Sequence, residues 1–558
     1  MTEKQIESFT NSIIKLSKKI KGVSVIITDR DKTVFEYYHG VIDGKGTKND
    51  NKKMMMIGSN TKLLTTIAIM QFIEQGKLSL EDDIQTHLPE VKIPARFTYD
   101  AITIKQLLMH RSGISGDDFS CELDPTKTLK DIIPTVNNSY MVSVPGTMYA
   151  YSNLGFGLLG LLIEKLSNTT YIDYIYENVT KPLGMDMKIL PTKEGREKYK
   201  NVISQSFNKK GEVVIDPLSA ILSAGSNTYA TADDLAKLLR LFMNPEKQSV
   251  LKQETLEKVL TMIDGPFYED KEERHGLGLM FNCKNYESEA IGEIIGHGGA
   301  TIYHYSTFQF TSKLGIGIAV MTNTEKGASK ANKITNKLFA DYIKLLGIEI
   351  SMLDKTCPQT EVDLKKYENT FVASGMLADF KYTKRSRLVA KIGFVKFYMT
   401  LRQDDYFDLH PIGISKLKMF SKMLKNIKVK IKELHGEIVV YIKSYHEFYS
   451  TVNLIAVLYK KQKDVFRYEY LVGEYELTEA TKQCSVFFTK GSFKIKENKL
   501  LFVSKSDGSK STFYLEGIDD NTLLIQGIGR GTRETVIFTK DNNEIIGTFL
   551  GAQFKKVS

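Results

Sequence analysis

The hydrophobic positions along this chain change period more than once, and each change predicts a change of architecture. Residues 3–20 carry apolar side chains at three- and four-residue intervals, the spacing of one helix face. Two strand-like runs follow, VSVIITDRD at 23–31 and TVFEYYHGVI at 33–42, around a polar turn. TKLLTTIAIMQFIEQGKL at 61–78 returns to helical spacing, with Gly76 as its expected stop. Residues 80–240 read mostly as helix and loop, with apolar pieces at 103–114 and 152–168 and a helix at 231–243 capped by Thr231. From 274 the pattern turns to strands, in HGLGLMFNC, EIIGHGGAT, YSTFQFT and LGIGIAVMTN, and a polar-faced helix at 330–347 closes the region. The order helix, strands, helices, strands, helix predicts one α+β domain over 1–347. Its expected form is an antiparallel sheet flanked by helices, with an inserted helical subdomain.

Residues 348–363 lack a clear period, contain Pro358 and read as a linker. Beyond them short β-rich runs alternate with turns to the end, the spacing of a barrel or sandwich. LKKYENTF at 364–371 and LVGEYEL at 471–477 echo each other, each an aromatic-bearing first strand. The echo divides this half into two small antiparallel β-barrel domains, 364–461 and 468–558, giving a multidomain α+β chain. SKLKMFSKMLKNIKVKIKEL at 415–434 fits the first barrel poorly and reads as an inserted helix or a basic hairpin. A length of 558 residues suits several domains.

Composition narrows the partners. The formal net charge is +10, but Lys and Glu are interspersed and no nucleic-acid motif accompanies the charge, so a solvated surface is expected rather than a nucleic-acid interface. The four cysteines, Cys121, Cys283, Cys357 and Cys484, form no CxxC pair and read as reduced thiols. The first residues have the pattern of an amphipathic helix rather than a signal peptide. The most apolar stretch, GFGLLGLLIEKL, is short and broken by Glu164 and Lys165, so no membrane span is expected and the chain reads as cytoplasmic.

Three short motifs carry candidate chemistry. In Ser59-Asn60-Thr61-Lys62, positions i and i+3 at a helix start share a face, so the Lys62 amine can sit beside the Ser59 hydroxyl and take its proton. In Tyr151-Ser152-Asn153, a phenol near ammonium groups can act as a base, and an amide two residues on can hold a substrate carbonyl or the lysine. In Gly296-His297-Gly298-Gly299-Ala300, glycines on a strand let a substrate backbone approach, and a backbone N–H can face that of Ser59 as an oxyanion hole. Each motif alone also has a plain structural reading; their joint order is what points to chemistry. His110 and His275 read as structural, and His304 as a residue lining the cleft. No His/Asp/Glu cluster has metal-ligand spacing, so neither metal nor cofactor is expected.

The order Ser-x-x-Lys, Tyr-x-Asn, His-x-Gly resembles the class C β-lactamase and penicillin-binding-protein superfamily. GKLSLEDDIQTHLPE, ITIKQLLMHRSGI, VPGTMYAYSNLGFGLLGLLIEKLSN, KPLGMDM, ATADDLAKLL and GHGGATIYHYSTF look like further landmarks of it, over roughly residues 5–346. The resemblance implies Ser59 as the acylated nucleophile and Lys62 as acylation base or proton conduit. It implies Tyr151 as partner base and activator of the deacylating water, and Asn153 as a positioner of substrate. His297 stands where other members carry lysine. The backbone N–H groups of Ser59 and Ala300 would form the oxyanion hole, and Gly298, Gly299 and His304 would contact substrate. Ile302-Tyr303-His304 departs from the family's small glycine turn, which leaves substrate identity open. The C-terminal half resembles the lipocalin-like barrels of D-aminopeptidase-type members, and the loop Gly527–Thr532 is a candidate for narrowing the cleft. The implied activity is a metal-free serine hydrolase acting on amide bonds of small peptides or D-amino-acid derivatives. An esterase, a β-lactamase or D,D-carboxypeptidase, and a non-catalytic scaffold are the alternatives. A homo-oligomer is left open.

Overall fold

The computed structural model describes residues 2–558 apart from 217–218, 248–249, 264–274, 285–290, 326, 349–357, 359–361, 374, 417–420, 422–423, 446–448, 463, 487, 489, 507–508, 528–531 and 542–543. Its first part is built on an antiparallel sheet. The strands run Met280–Lys284, Ile294–Ala300, Tyr305–Thr311, Ile316–Thr322, Gly22–Thr28 and Thr33–Gly40 across it. Gly22–Thr28 is buried at every position because both faces of the sheet are covered. Alternation sorts its side chains: Val23, Val25 and Ile27 pack with Phe9, Ile13, Leu338 and Phe339, while Ile26 joins the larger core on the other face. The first face is thus closed by the helices Glu3–Leu16 and Gly327–Leu345.

The opposite face holds Thr61–Glu74, Asn153–Ser167 and Ala232–Met243. Thr61–Glu74 is buried on nearly all sides, so apolar residues occupy its whole circumference and its one early lysine is carried inward. Thr231 caps Ala232–Met243 in a reciprocal box with Asp234, as the pattern predicts. The piece at 103–114 forms only a short helix, Ile104–Leu108, and then becomes a buried loop.

The C-terminal half forms two closed eight-stranded antiparallel barrels. Strands of the first lie between Asn369 and Leu458 and close through Phe371↔Leu458 and Val372↔Val457. Strands of the second lie between Gly473 and Lys556 and close through Tyr475↔Lys556. The echo noted in sequence corresponds to one local form: a 3-10 turn, Leu364–Tyr367 or Phe466–Leu471, leads into the first strand of each barrel. Within 415–434, Ile427–Leu434 is a strand paired with Glu437–Tyr445, and residues 417–420 and 422–423 lie outside the described residues. The proposed linker falls largely outside them too. Sequence did not anticipate that the first barrel joins the flanked sheet, its last strand pairing with the sheet's edge at Tyr449↔Lys284 and Ser450↔Cys283. Among the described residues no helix is long and apolar enough to cross a membrane.

Candidate active site

Ser59 sits in the 3-10 turn Gly58–Asn60, which feeds directly into the helix Thr61–Glu74. The turn needs glycine at 58, where φ is +54° and a Cβ would fall 2.5 Å from the Ala300 nitrogen. Across the cleft the strand Ile294–Ala300 passes equally close, since a Cβ on Gly299 would collide with the Ile57 carbonyl oxygen. Ser306 fastens the two together: its Oγ donates to the Ile57 carbonyl and accepts from Asn60 Nδ2, both at 2.7 Å. The backbones at Ser59 and Ala300 are therefore held side by side, and Gly298 faces open space.

Lys62 is fully buried, a costly place for an ammonium unless it is partnered. Its Nζ donates to Asn153 Oδ1 at 2.7 Å, to the Gly225 carbonyl at 3.1 Å and to Ser59 Oγ at 3.3 Å. The ring faces of Tyr151 and Phe156 lie 5.0 and 5.4 Å from the same nitrogen, which adds cation–π attraction. A charged lysine has three protons, and three oxygens receive them here. A neutral lysine would keep two for Asn153 and Gly225 and turn its lone pair to the serine hydroxyl. The arrangement can thus take a proton from Ser59 without moving the side chain.

Asn153 opens the helix Asn153–Ser167, capped by Ser152, and links Lys62 to the loop in front of it. Its Nδ2 donates to Asp117 Oδ1 at 2.8 Å and its backbone N–H to the Gly116 carbonyl at 2.8 Å. Tyr151 stacks on His110 with centroids 4.1 Å apart, and His110 Nδ1 accepts the Ser152 N–H at 3.1 Å. His110 thereby braces the Tyr-x-Asn turn, and His275 stacks on Tyr149 beside it.

His297 is buried beside Lys62, and desolvation followed by the lysine charge pushes its pKa down to about 4. It is neutral near pH 7. Nδ1 donates to the Gly298 carbonyl at 2.6 Å, which leaves Nε2 as the acceptor. His304 requires a correction. It was expected to line the cleft, but it is fully buried behind the cleft wall, with Nδ1 accepting the Met56 N–H at 3.2 Å and its ring edge-on to Tyr229. The Thr301 hydroxyl accepts the His304 N–H, folding the turn so that Ile302 takes the place on the cleft. Burial, with Arg196 nearby, lowers the His304 pKa to about 3.

Ser59, Asn153 and Ala300 border a cavity of about 420 Å³. Its far side comes from the second barrel, through Phe488, Phe513, Phe549 and Leu550. The loop Gly527–Thr532, singled out in sequence, has residues 528–531 outside the described residues. The barrel also sends Glu534 into the loop before the Tyr-x-Asn motif. Its carboxyl oxygens accept from the Ser115 hydroxyl at 2.8 Å and the Gly116 N–H at 3.1 Å. Burial, with Asp117 nearby, raises its pKa to about 8 against the pull of these hydrogen bonds and of Arg96. Sequence reasoning missed Asp117, Gly225 and Glu534. Asp117 lies just past a landmark segment and was within reach, whereas Glu534 stands 418 positions from Gly116 and gave no signal.

Comparison with known proteins identifies the family of the first part of the chain. The family described as Beta-lactamase matches residues 7–341. Protein flp of Staphylococcus aureus (strain N315) is 27% identical over 310 residues, 54% of this chain and 60% of that protein. The chain thus spans about 60% of the length of this curated relative. The crystal structure of SurE with D-Leu superposes with a TM-score of 0.56 at 17% identity, covering 82% of this chain and 100% of that one. The octameric penicillin-binding protein homologue from Pyrococcus abyssi gives 0.52 at 19% identity, with 100% of both chains covered. At these identities the two structures show a shared fold.

Proposed function

The chain belongs to the beta-lactamase family, and on that premise we propose that it is a serine hydrolase working through an acyl-enzyme on Ser59, cleaving amide bonds of small peptides or D-amino-acid derivatives. The observation that carries the proposal is the buried Lys62 Nζ, 3.3 Å from Ser59 Oγ and held by Asn153 and Gly225. Neutral Lys62 takes the Ser59 proton as Oγ attacks the scissile carbonyl. The Ser59 and Ala300 N–H groups receive the oxyanion as the tetrahedral adduct forms. Collapse of the adduct expels the amine, which takes the proton back from the lysine. Water then attacks the ester and gives its proton to Lys62, directly or relayed through the Tyr151 hydroxyl; the second adduct collapses, the acid leaves and the proton returns to Ser59 Oγ. Asn153 retains one Nδ2 proton beyond that given to Asp117, and this proton can hold a substrate carbonyl. His297 supplies a neutral acceptor beside Lys62.

An esterase on the same residues is the second reading, because an alkoxide leaves more readily than an amine and needs less of the machinery. A β-lactam or a D,D-peptide carries a carboxylate, and two features oppose one here. His297 is neutral where a lysine would be charged, and the described cavity lining contains Asp117 and Glu122 but no lysine or arginine. The SurE structure with D-Leu shares only the fold with this chain, so the D-amino-acid part of the proposal rests on the resemblance to D-aminopeptidase-type members. The compartment proposed is the cytoplasm, and the substrate a small molecule or short peptide.

The test is intact-protein mass after exposure to a fluorophosphonate, a penicillin, an activated ester and a D-aminoacyl amide, with Ser59→Ala alongside. Adducts are expected on the wild type only, from the fluorophosphonate and from at least one ester or amide. Ser59→Ala should lower turnover at least about a thousandfold while its melting temperature stays within about one degree. Equal labelling of both proteins, or a folded wild type that takes no label, overturns the proposal.

A further inference from the structure

The second barrel forms part of the cavity that begins at Ser59, and the residues it contributes are of one kind. Phe488, Phe513, Phe549 and Leu550 line it together with Phe119 and Ile302 of the first domain. Leu550 is the informative member. Its φ is +47°, in the left-handed region where a leucine is strained and glycine or asparagine would be comfortable. The side chain kept at that position lies on the cavity, so the strain is sustained where an apolar surface faces the nucleophile.

The turn is also fixed to the first domain. The Leu550 carbonyl accepts the Phe119 N–H at 2.8 Å, and Gln483 Nε2 donates to the Ser120 carbonyl at 3.2 Å. Gly551, at φ +74°, passes so near Asp118 that a Cβ would collide with its carboxylate. Phe488 and Phe119 meet with centroids 5.9 Å apart. A wall tied by two hydrogen bonds and a ring contact, with no room left at Gly551, is a preformed surface, and a preformed apolar surface beside a reacting atom selects its substrate by shape and by burial. Asp117 and Glu122 are the ionisable residues of the described lining, so an anionic group is disfavoured there.

We infer that the second barrel supplies a specificity pocket for the large apolar part, aromatic or branched, of a non-anionic acyl group, with Leu550 and Phe513 as its specificity-determining residues. The inference rests on Ser59 being the acylated residue. The acyl part is the occupant because it stays attached to Ser59 between the two half-reactions, after the leaving group has gone.

The experiment is kcat/KM of the full chain on p-nitrophenyl esters of one leaving group and four acyl groups: acetyl, hexanoyl, 3-phenylpropanoyl and succinyl. The same series is run on Leu550→Asn, which suits the left-handed backbone, and on Phe513→Gln. Melting curves and fluorophosphonate labelling of Ser59 accompany each protein. The wild type is expected to prefer 3-phenylpropanoyl over acetyl by at least about tenfold and to discriminate against succinyl. Each variant, folded and labelled, should lower the 3-phenylpropanoyl-to-acetyl ratio at least about fivefold. A labelled wild type with a flat acyl profile, or two folded variants with the wild-type ratio, overturns the pocket and leaves the nucleophile standing. A folded wild type that takes no label overturns the nucleophile, and the pocket with it.

Discussion

The two barrels are built alike and meet the first domain in opposite ways. Each has eight antiparallel strands closed on themselves, and closure removes the free edges by which sheets usually associate. The first barrel nevertheless joins the flanked sheet by backbone pairing at one end of its last strand, Tyr449↔Lys284. It reaches the site from behind: Val372, Val439, Tyr441 and Leu454 enclose Met148, three residues before Tyr151. The second barrel works mainly by side chains, beside the backbone bond from Phe119 to Leu550. It lays an apolar wall on the cavity and inserts Glu534 into the loop that carries Asp117. A barrel's architecture therefore does not decide its role; the turns and side chains that face the neighbouring domain do.

The sharpest test of that contrast is Glu534. Glu534→Ala leaves the Gly116 N–H without its acceptor and the Ser115 hydroxyl with only the Asp117 carbonyl at 3.3 Å, and so loosens the loop that holds Asn153. A fall of about ten- to a hundredfold in kcat is expected, with KM changed far less, because the residue positions the machinery and does not touch substrate. Glu534→Gln keeps the shape and an acceptor oxygen and should restore most of the rate. If alanine costs no more than glutamine, the second barrel does not position the site.

Met148→Ala is the matching change on the first barrel. It opens a cavity in a buried cluster and should cost about 2 kcal/mol of stability or more, read by chemical denaturation. Turnover at a temperature where the protein stays folded should change less than it does for Glu534→Ala. A larger kinetic effect at Met148 would reverse the assignment of roles.

The pH dependence of stability isolates the second barrel further. Glu534 has a pKa raised from 4.5 to about 8, so the native state keeps a proton that the unfolded chain has released across that window. Its contribution is complete below pH 4.5 and is lost as pH rises towards 8. Asp216, raised from 3.8 to about 6, acts in the same direction and is spent by then. His275, His297 and His304 are lowered from 6.5 to about 3, 4 and 3, and their contribution is present above 6.5 and lost as pH falls. Between about 6.5 and 8, then, the melting temperature should fall in the wild type and stay level in Glu534→Gln.

The smallest effect is expected between the barrels themselves. Arg533 pairs with Glu437 across their junction, both partly exposed. Glu437→Gln should cost at most about 1 kcal/mol and leave the rate as it is. A large loss would mean that the barrels act as one unit.

Much of this was legible along the chain. The strand-like runs at 23–31 and in LGIGIAVMTN marked sheet strands, and the helical spacing at 61–78 and the apolar piece at 152–168 marked the helices that carry Lys62 and Asn153. The i, i+3 spacing of Ser59 and Lys62 survives in any helix start, so local geometry alone brought them together. His304 misled because a residue two positions from a cleft residue points wherever the turn sends it. Here the Thr301 hydroxyl turned it inward.

The sequence by itself determined the elements, the order of the motifs and the meeting of Ser59 with Lys62, because these depend on residues within a few positions of one another. Only the tertiary structure decided that Gly225 and Asn153 hydrogen-bond a fully buried Lys62. It alone decided that the second barrel completes the cavity through Leu550 and Phe513, and that Glu534 grips the loop at Gly116. Those contacts join residues far apart in the chain, and the physical cause is burial: a carboxyl or an ammonium taken out of water must find partners wherever the fold brings them, and no local pattern records where that is.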